Sequence, residues 1–350
     1  MQEFIPDYKH VADAAKNRRP RRVPLYEHGI SLNKMEEITG DGFSYLINGG
    51  LNDKIEFFKR FARFYATHGC DAVVFESCVT GILPGAGALG NHKKGVIQTR
   101  EDFIKYPWDE LPALYEDRFY ETFAALGEAL PPGMKAVGGV GNGVFECVQD
   151  LVGYEDLCCM LNDDPGLFAD LFEKMGETLY VIWTAFLARF ADSFCVPRFG
   201  DDLGFRTQTL LSPDTIVKHV VPQYKKIIDL VHAYGKPFLL HSCGCIFAVM
   251  DDFISAGADA KHSNEDQIAP FPVWMDLYGD KMAFFGGLDT DMVCRADERT
   301  IREYTLEVLN KCSNRNGFAF GTGNAIADYV PAGNWLVMVE TAREFRGDYK

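Results

Sequence analysis

Three residues of the types that bind zinc, His241, Cys243 and Glu265, follow two predicted strands that are consecutive in the chain. A short apolar run at residues 237–240 predicts a buried parallel strand that leads into His241. Side chains two apart on a strand project to the same side, so His241 and Cys243 face one space. An amphipathic helical stretch then leads to a second short strand that ends at Glu265. If the two strands are neighbours, about 4.8 Å apart, the three side chains converge.

Imidazole, thiolate and carboxylate are zinc ligands, and a zinc ion with three protein ligands keeps one position open for catalysis. The sequence therefore predicts a zinc site formed by His241, Cys243 and Glu265. The alternative is a histidine that is hydrogen-bonded to backbone beside a cysteine that is simply part of the core.

Polar residues also follow the other predicted strands. Asp201 and Asp202 are adjacent carboxylates, and holding two such charges together costs free energy unless a cation, substrate or water separates them. A solvated turn is the alternative for this pair. The residues predicted to orient a substrate or move a proton are His28, Glu76 and Asp202. The residues predicted to bind substrate are Glu27, Asn142, Asp201, Arg206, Asp289 and Asn324.

Apolar runs alternate with helical patterns along most of the chain, and polar clusters stand at the carboxyl end of each run. The eight runs lie at residues 22–28, 71–75, 135–140, 194–199, 237–240, 259–265, 281–285 and 317–320. This alternation predicts an α/β fold, a (β/α)₈ TIM barrel that spans residues 1–350 as a single domain with an N-terminal helical extension. A doubly wound open sheet is the structural alternative.

Composition excludes several classes of function. The net charge of −15 argues against nucleic acid and anionic membrane surfaces as partners. The amino terminus lacks a signal-peptide pattern, and no window contains the roughly 18 apolar residues of a membrane span, so we expect a cytoplasmic protein. Ten cysteines without a framework spacing favour reduced thiols. The glycines at 139, 141 and 143 do not have the spacing of a dinucleotide-binding loop.

The run His241-Ser242-Cys243-Gly244, with Glu265 downstream and Gly321-Thr322-Gly323-Asn324 near the end, resembles the uroporphyrinogen decarboxylase superfamily. The chain is most similar to the branch of corrinoid-dependent methyltransferases that includes the methanol and methylamine coenzyme M enzymes. The resemblance covers the whole chain and implies a single barrel. In that branch an H-x-C pair and a glutamate bind zinc, which matches His241, Cys243 and Glu265.

The family also has a cysteine after the last strand, and the matching position here is Asn324. This departure removes one thiolate, which lowers the softness and the affinity of the site. The decarboxylase branch is a poorer match. Its arginine-rich loop after the first strand is replaced here by Tyr26-Glu27-His28, with the arginines earlier at residues 21 and 22. An acidic cleft would repel a polycarboxylate tetrapyrrole.

The resemblance implies a zinc-assisted methyltransferase that moves a methyl group between a small-molecule donor or acceptor and the cobalt of a corrinoid. The chain lacks the D-x-H-x-x-G signature of many corrinoid proteins, since residues 229–235 contain one residue too many. A separate corrinoid protein is therefore the expected partner, and a homodimer is compatible with the sequence. One alternative is a metal-independent carboxy-lyase that uses Asp201 or Glu76 as its acid. Another is a non-catalytic protein that handles a small molecule or a corrinoid.

Overall fold

The computed structural model describes residues 4–349 and contains one sheet of seven parallel strands whose spatial order follows the chain. The strands are β1 (Ala72–Cys78), β2 (Lys135–Gly141), β3 (Phe194–Gly200), β4 (Leu239–His241), β5 (Ala260–His262), β6 (Ala283–Leu288) and β7 (Phe318–Thr322). The strands after β1 are almost continuously buried, as expected when both faces of a parallel sheet are covered, whereas β1 is partly exposed toward its carboxyl end. The predicted alternation of strands and helices is confirmed, and the fold is α/β.

Helices precede, connect and follow the strands, and those between neighbouring parallel strands form the long crossovers that such strands require. They are α1 (Lys9–Ala15), α2 (Leu32–Thr39), α3 (Leu51–Thr67), α4 (Arg100–Lys105), α5 (Leu111–Ala129), α6 (Val144–Val152), α7 (Tyr154–Asp163), α8 (Pro165–Phe190), α9 (Pro213–Thr215), α10 (Val221–Ala233), α11 (Met250–Ala256), α12 (Phe271–Tyr278), α13 (Thr290–Arg295), α14 (Glu298–Cys312) and α15 (Ala332–Arg346). Short 3₁₀ turns lie at Ser44–Asn48, Val79–Ile82, Trp108–Glu110, Ala191–Ser193 and Phe247–Val249, and a π-helical turn at Ile216–Val220 joins α9 to α10.

The first predicted strand, residues 22–28, does not form a strand in the structure. Leu25 makes a single parallel bridge with Phe320 of β7. The backbone N–H of Tyr26 donates to the Phe320 carbonyl at 2.8 Å, and the Phe320 N–H donates to the Pro24 carbonyl at 2.9 Å. The pairing stops on one side at Pro24, which has no N–H to donate, and on the other side at Thr322, whose N–H donates to the Glu27 side chain. The sheet therefore has seven strands instead of the predicted eight.

Side chains from distant parts of the sheet meet in a common interior. Arg198 of β3 donates to Tyr26, which lies beside β7, and forms an ion pair with Glu76 of β1. His262 of β5 contacts the Thr322 carbonyl of β7, two strands away. These contacts require a curled sheet, which is consistent with a TIM-barrel-like architecture, and they bring the carboxyl ends of the strands together.

The helix that leads to β4 begins as its sequence predicts. Ser212 caps it by accepting a hydrogen bond from the Thr215 N–H at 3.2 Å, and Pro213 occupies the first turn. The ten cysteines form no disulfide with one another in the structure. No helix within residues 4–349 is both long enough and apolar enough to span a membrane.

Candidate metal centre and active site

Three potential metal ligands meet where β3 and β4 end. The Cys243 Sγ lies 3.4 Å from the His241 Nε2, and that nitrogen lies 3.7 Å from the Asp202 Oδ1. The ligand atoms of these three side chains all lie within 4.8 Å of one another. The Cys243 N–H donates to the Asp202 Oδ1 at 2.9 Å, which ties the two loops together.

Two distances between these atoms fit a tetrahedral zinc ion. With zinc bonds of about 2.0–2.3 Å, the donor atoms of a tetrahedral site lie about 3.3–3.8 Å from one another. The sulfur–nitrogen distance of 3.4 Å and the nitrogen–oxygen distance of 3.7 Å both fall in this interval. The set of one imidazole, one sulfur and one carboxylate is also a zinc donor set, so the residues present fit the ion.

Glu265, the predicted third ligand, lies beside this cluster. Its Oε1 accepts a hydrogen bond from the Gly244 N–H at 3.3 Å. Among the residues that the structure describes, the groups whose ligand atoms lie within 4.8 Å of one another are Asp202 with His241 and Cys243, and the histidines 28, 241 and 262. Glu265 belongs to neither group. Its role as a ligand stays a prediction, and Asp202 occupies the corresponding place near the sulfur.

Asn324 lies in the loop after β7, and its side chain contacts the candidate ligand Cys243. The Asn324 Nδ2 donates to the Cys243 Sγ at 3.3 Å, while its Oδ1 accepts from the Ala325 N–H at 2.8 Å. Burial raises the pKa of the Cys243 thiol to about 12, and the Asp202 charge adds to this rise. A cation is therefore needed for this sulfur to become a thiolate near neutral pH.

Three imidazoles stack next to the cluster, and those of His241 and His262 are buried while that of His28 is partly buried. The ring of His28 lies 3.6 Å from that of His241, with 17° between the planes, and the ring centre of His262 lies 5.0 Å from that of His241. Burial lowers the pKa of His262 to about 3. Burial, and next the Arg198 charge, lower the pKa of His28, the predicted proton carrier, well below its usual range. Burial therefore favours the neutral form of His28 and of His262.

Arg198 is a site residue that the sequence analysis did not identify. It is 1% exposed, donates to the Tyr26 hydroxyl at 3.1 Å and also donates to the ring and carbonyl of His28. Its Nη2 lies 2.7 Å from the Glu76 Oε2. Burial lowers the pKa of Arg198, but the charges of Glu76 and Tyr26 outweigh it and the pKa is raised. Glu76, predicted to be catalytic, is therefore neutralised by a buried guanidinium. The sequence feature that could have identified Arg198 is its position as a charged residue inside the predicted apolar strand 194–199.

Asp201 and Asp202 face different surroundings. Asp201 is fully buried, and its carboxylate accepts hydrogen bonds from the backbone N–H groups of Phe145 at 2.9 Å and Glu146 at 2.7 Å, and from the Tyr224 hydroxyl. It therefore caps the start of α6, and burial raises the pKa of Asp201 to about 7. The Asp202 side chain is 46% exposed and lies at the mouth, by which we mean the surface formed by the carboxyl ends of the strands. The predicted role of Asp201 in substrate binding stays a prediction.

Asn142 and Glu146 extend the polar surface from Asp202 toward β1. The Asn142 Nδ2 donates to the Glu146 Oε2 at 2.7 Å, and the Asn142 Oδ1 accepts from the Thr80 N–H and hydroxyl. The Glu146 Oε1 accepts from the Asp202 N–H at 3.2 Å. Burial, and next the charge of Asp201, raise the pKa of Glu146 to about 8. Sequence reasoning missed Glu146 because it lies inside a helical pattern instead of at a strand end.

The remaining predicted substrate ligands lie outside the cluster around Cys243. Glu27 is buried, and its carboxylate accepts from the Thr322 N–H at 3.3 Å and the Trp335 Nε1–H at 2.9 Å. Asp289 caps α13, with its oxygens accepting backbone N–H groups at 2.6 and 2.7 Å. Arg206 is exposed in the loop after β3. The structure does not bring these three side chains together.

Comparison with known proteins identifies the family. Residues 57–345 match the model of the uroporphyrinogen decarboxylase (URO-D) family. A curated protein named uroporphyrinogen decarboxylase from Streptomyces coelicolor is 27% identical over 278 residues, which cover 74% of this chain and 72% of that protein. The family resemblance predicted from the sequence is confirmed.

Solved structures share the fold. A methyltransferase from Methanosarcina mazei superposes with a TM-score of 0.71 at 16% identity, covering 96% of this chain and 98% of that one. A putative vitamin-B12-independent methionine synthase from Listeria monocytogenes superposes with a TM-score of 0.53 at 13% identity, covering 94% of this chain and 99% of that one. At these identities the likeness establishes the architecture alone.

Proposed function

The chain belongs to the uroporphyrinogen decarboxylase family, and we propose that within it the protein is a zinc-assisted, corrinoid-dependent methyltransferase. It moves a methyl group between a small substrate and the cobalt of a corrinoid that a separate protein carries. The observation that carries this proposal is the cluster of Asp202, His241 and Cys243, whose atoms have zinc-like spacing at the mouth formed by the strand ends. The similarity in fold to a methyltransferase supports it.

The donor set suits a reactive zinc ion. One thiolate and one carboxylate balance the charge of Zn²⁺, and three protein ligands leave a fourth position for substrate. His241, Cys243 and Asp202 would hold the ion, which would supply Lewis-acid chemistry by lowering the pKa of a bound thiol or polarising an ether or hydroxyl oxygen. We infer that Asp202 is the third ligand, because its Oδ1 lies 3.7 Å from the His241 Nε2.

Neighbouring residues orient the proposed ligands and stabilise their charges. The Cys243 N–H holds the Asp202 carboxylate in place at 2.9 Å, and the Glu146 carboxylate accepts the Asp202 N–H at 3.2 Å. The Asn324 amide donates to the Cys243 Sγ at 3.3 Å and stabilises negative charge on that sulfur. Asn324 therefore contributes a hydrogen bond where the family contributes a second thiolate.

The resemblance to corrinoid-dependent methyltransferases implies that a corrinoid takes part. Because the chain lacks the D-x-H-x-x-G signature, we infer that the corrinoid arrives on a partner protein that docks at the carboxyl ends of the strands, where the cluster lies. We also propose that residues 22–28, although not a regular strand, occupy the place of the first strand and close the sheet into a (β/α)₈ barrel. The bridge between Leu25 and Phe320 supports this closure.

A carboxy-lyase is the second candidate, because the curated relative is named uroporphyrinogen decarboxylase. The charge of the mouth argues against a polyanionic substrate. The positive charge of Arg198 is paired with Glu76, and the carboxyl groups of Asp202 and Glu265 lie nearby. A carboxy-lyase on this scaffold would act on a less highly charged acid.

Metal analysis separates the two candidates. The purified full chain should bind about one zinc ion, and Cys243→Ser should lose it, because a hydroxyl is a poor replacement for a thiolate. Cys159→Ser is the matched control, since Cys159 is exposed on α7, outside both candidate ligand groups. The zinc-loaded protein should demethylate methylcobalamin in the presence of a thiol acceptor. A metal-free chain that releases CO₂ from a carboxylic acid would reject the proposal.

A further inference from the structure

Two hydrogen bonds connect His241 to the backbone of β7 through a second histidine. The Nε2 of His262 lies 3.0 Å from the Thr322 carbonyl oxygen, and the Nδ1 of His262 lies 2.8 Å from the Nδ1 of His241. His241 and His262 are directly paired in the register of β4 and β5. Both side chains are buried, with 5% and 0% exposure. This series of hydrogen bonds runs from Thr322 through His262 to His241, and the free ring nitrogen at its end, the His241 Nε2, faces the Cys243 sulfur.

The carbonyl acceptor at one end of this series of hydrogen bonds determines which nitrogen carries the hydrogen in each imidazole. A carbonyl oxygen can only accept, so the His262 Nε2 carries a hydrogen and donates it to Thr322. His262 is completely buried and contacts His241 and the Thr322 carbonyl in place of a carboxylate, so a second proton would be an unpaired buried charge. The His262 Nδ1 is therefore an acceptor, and the His241 Nδ1 must carry the hydrogen between them. The His241 Nε2 is left with its lone pair directed at the cluster.

We propose that His262 is a positioning residue that selects the tautomer of His241 and so presents the His241 Nε2 as a metal ligand. This inference rests on the zinc site of the proposed function. A ligating histidine usually donates its other N–H to a carboxylate or a carbonyl. Here the group that receives it is a second imidazole, whose own orientation is set by the backbone of β7.

The stacking of His28 on His241 does not provide the same control. The rings lie 3.6 Å apart and 17° from parallel, which restrains the plane of the His241 ring. Stacking is equally favourable for either tautomer, because it depends on the ring face and not on which nitrogen holds the hydrogen. Without an acceptor at the His262 Nδ1 position, His241 is free to carry its proton on Nε2, where it blocks the metal.

Two substitutions of His262 separate positioning from simple structural support. In His262→Asn, the side-chain oxygen can occupy the position of the Nδ1 and still accept from His241. In His262→Gln, the longer amide reaches the position of the Nε2 and keeps the bond to the Thr322 carbonyl. A positioning role predicts that Asn preserves metal binding and Gln does not. A merely structural role predicts the reverse order, or equal effects on both.

The first measurement needs no metal. In the metal-free full chain labelled with ¹⁵N-histidine, NMR should show the His241 Nδ1 protonated and its Nε2 bare, with His241→Gln used to assign the signals. A protonated Nε2 in the unsubstituted chain overturns the inference, even if every His262 variant fails to fold. In a folded His262→Gln chain, the His241 signals should shift toward the other tautomer.

The second measurement is metal affinity, from competition between the protein and a chromophoric chelator for Zn²⁺, with Co²⁺ absorption as a check on coordination. His262→Gln should weaken zinc binding roughly 10–100-fold, while His262→Asn stays within a few-fold of the unsubstituted chain. Equal affinities for all three proteins would overturn the positioning role. If the NMR result holds but the unsubstituted chain binds no zinc, the proposed function fails while the tautomer assignment stands.

Discussion

Gly244 makes the close approach of the two site loops possible, and its substitution by alanine is a sharp test of the site. The residue directly follows Cys243 and has a φ of +81°. A Cβ at this position would lie 2.2 Å from the carbonyl carbon of Gly204 and 2.6 Å from the Phe205 nitrogen. The two loops therefore touch backbone to backbone, and this contact helps bring Asp202 to Cys243.

Gly235 provides a matched control, because it has a φ of +71° but nothing within 4 Å of its added Cβ. Either substitution by alanine should lower the free energy of unfolding of the protein by about 1–2 kcal/mol, since left-handed backbone is unfavourable for a residue with a Cβ. Gly244→Ala should lose about 1–3 kcal/mol more, the usual cost of forcing extra atoms into packed structure.

The extra cost comes with a displacement at the site. To reach a tolerable contact of 3.0 Å, the Gly204 loop must move by at least about 0.8 Å. A shift of that size directed away from Cys243 stretches the 2.9 Å hydrogen bond between the Cys243 N–H and Asp202 beyond hydrogen-bonding range. It also separates the proposed ligands, so we expect Gly244→Ala to weaken zinc binding by at least about tenfold.

The assay is urea unfolding of both variants together with a zinc competition titration. Gly235→Ala should keep the zinc affinity of the unsubstituted chain despite its lower stability. If the two variants lose equal stability and bind zinc equally well, the contact between the loops of Gly204 and Gly244 does not hold the site together. The proposed link between this glycine and the metal ligands would then be refuted.

Three further changes test other parts of the structure. Burial raises the pKa of Glu27 from 4.5 to about 7, so its neutral form stabilises the fold below pH 4.5. That stability, about 3 kcal/mol, is lost as the pH rises toward 7, and Glu27→Gln should remove this pH dependence of the urea midpoint. Arg198→Met should cost about 3 kcal/mol, because it leaves Glu76 in a largely buried place without its cation, and adding Glu76→Gln should recover part of it in the same assay. Additive effects would show that the pair is not coupled. Asn324→Cys places a second thiol near Cys243 and should tighten zinc binding in the competition titration. An unchanged affinity would show that position 324 cannot reach the ion.

The elements of the fold are largely predictable from the sequence because local rules set them. Apolar runs of strand length bounded by helical patterns indicate buried parallel strands, and Ser212 with Pro213 marks the start of a helix in both sequence and structure. The same-side placement of His241 and Cys243 follows from the two-residue period of a strand. Even the weakness of the first strand has a local cause, since Pro24 lacks an N–H.

The choice of partners within the site was decided by tertiary structure. Asp202 and Glu265 both follow predicted strands, yet it is Asp202 that lies within 4.8 Å of His241 and Cys243, because glycines let the loops at 204 and 244 pack against each other. Sequence spacing carries no information about such a contact between distant segments.

Burial determined the surroundings and the charges of the other site residues. Asp201 and Asp202 are adjacent in the chain, but one caps a helix inside the protein and the other faces the mouth. Arg198 and His262 look like interruptions of apolar strands until the curled sheet places them beside Glu76 and His241. The residue types available to the site are a property of the chain, whereas their charges, tautomers and neighbours depend on which groups the folded sheet removes from water.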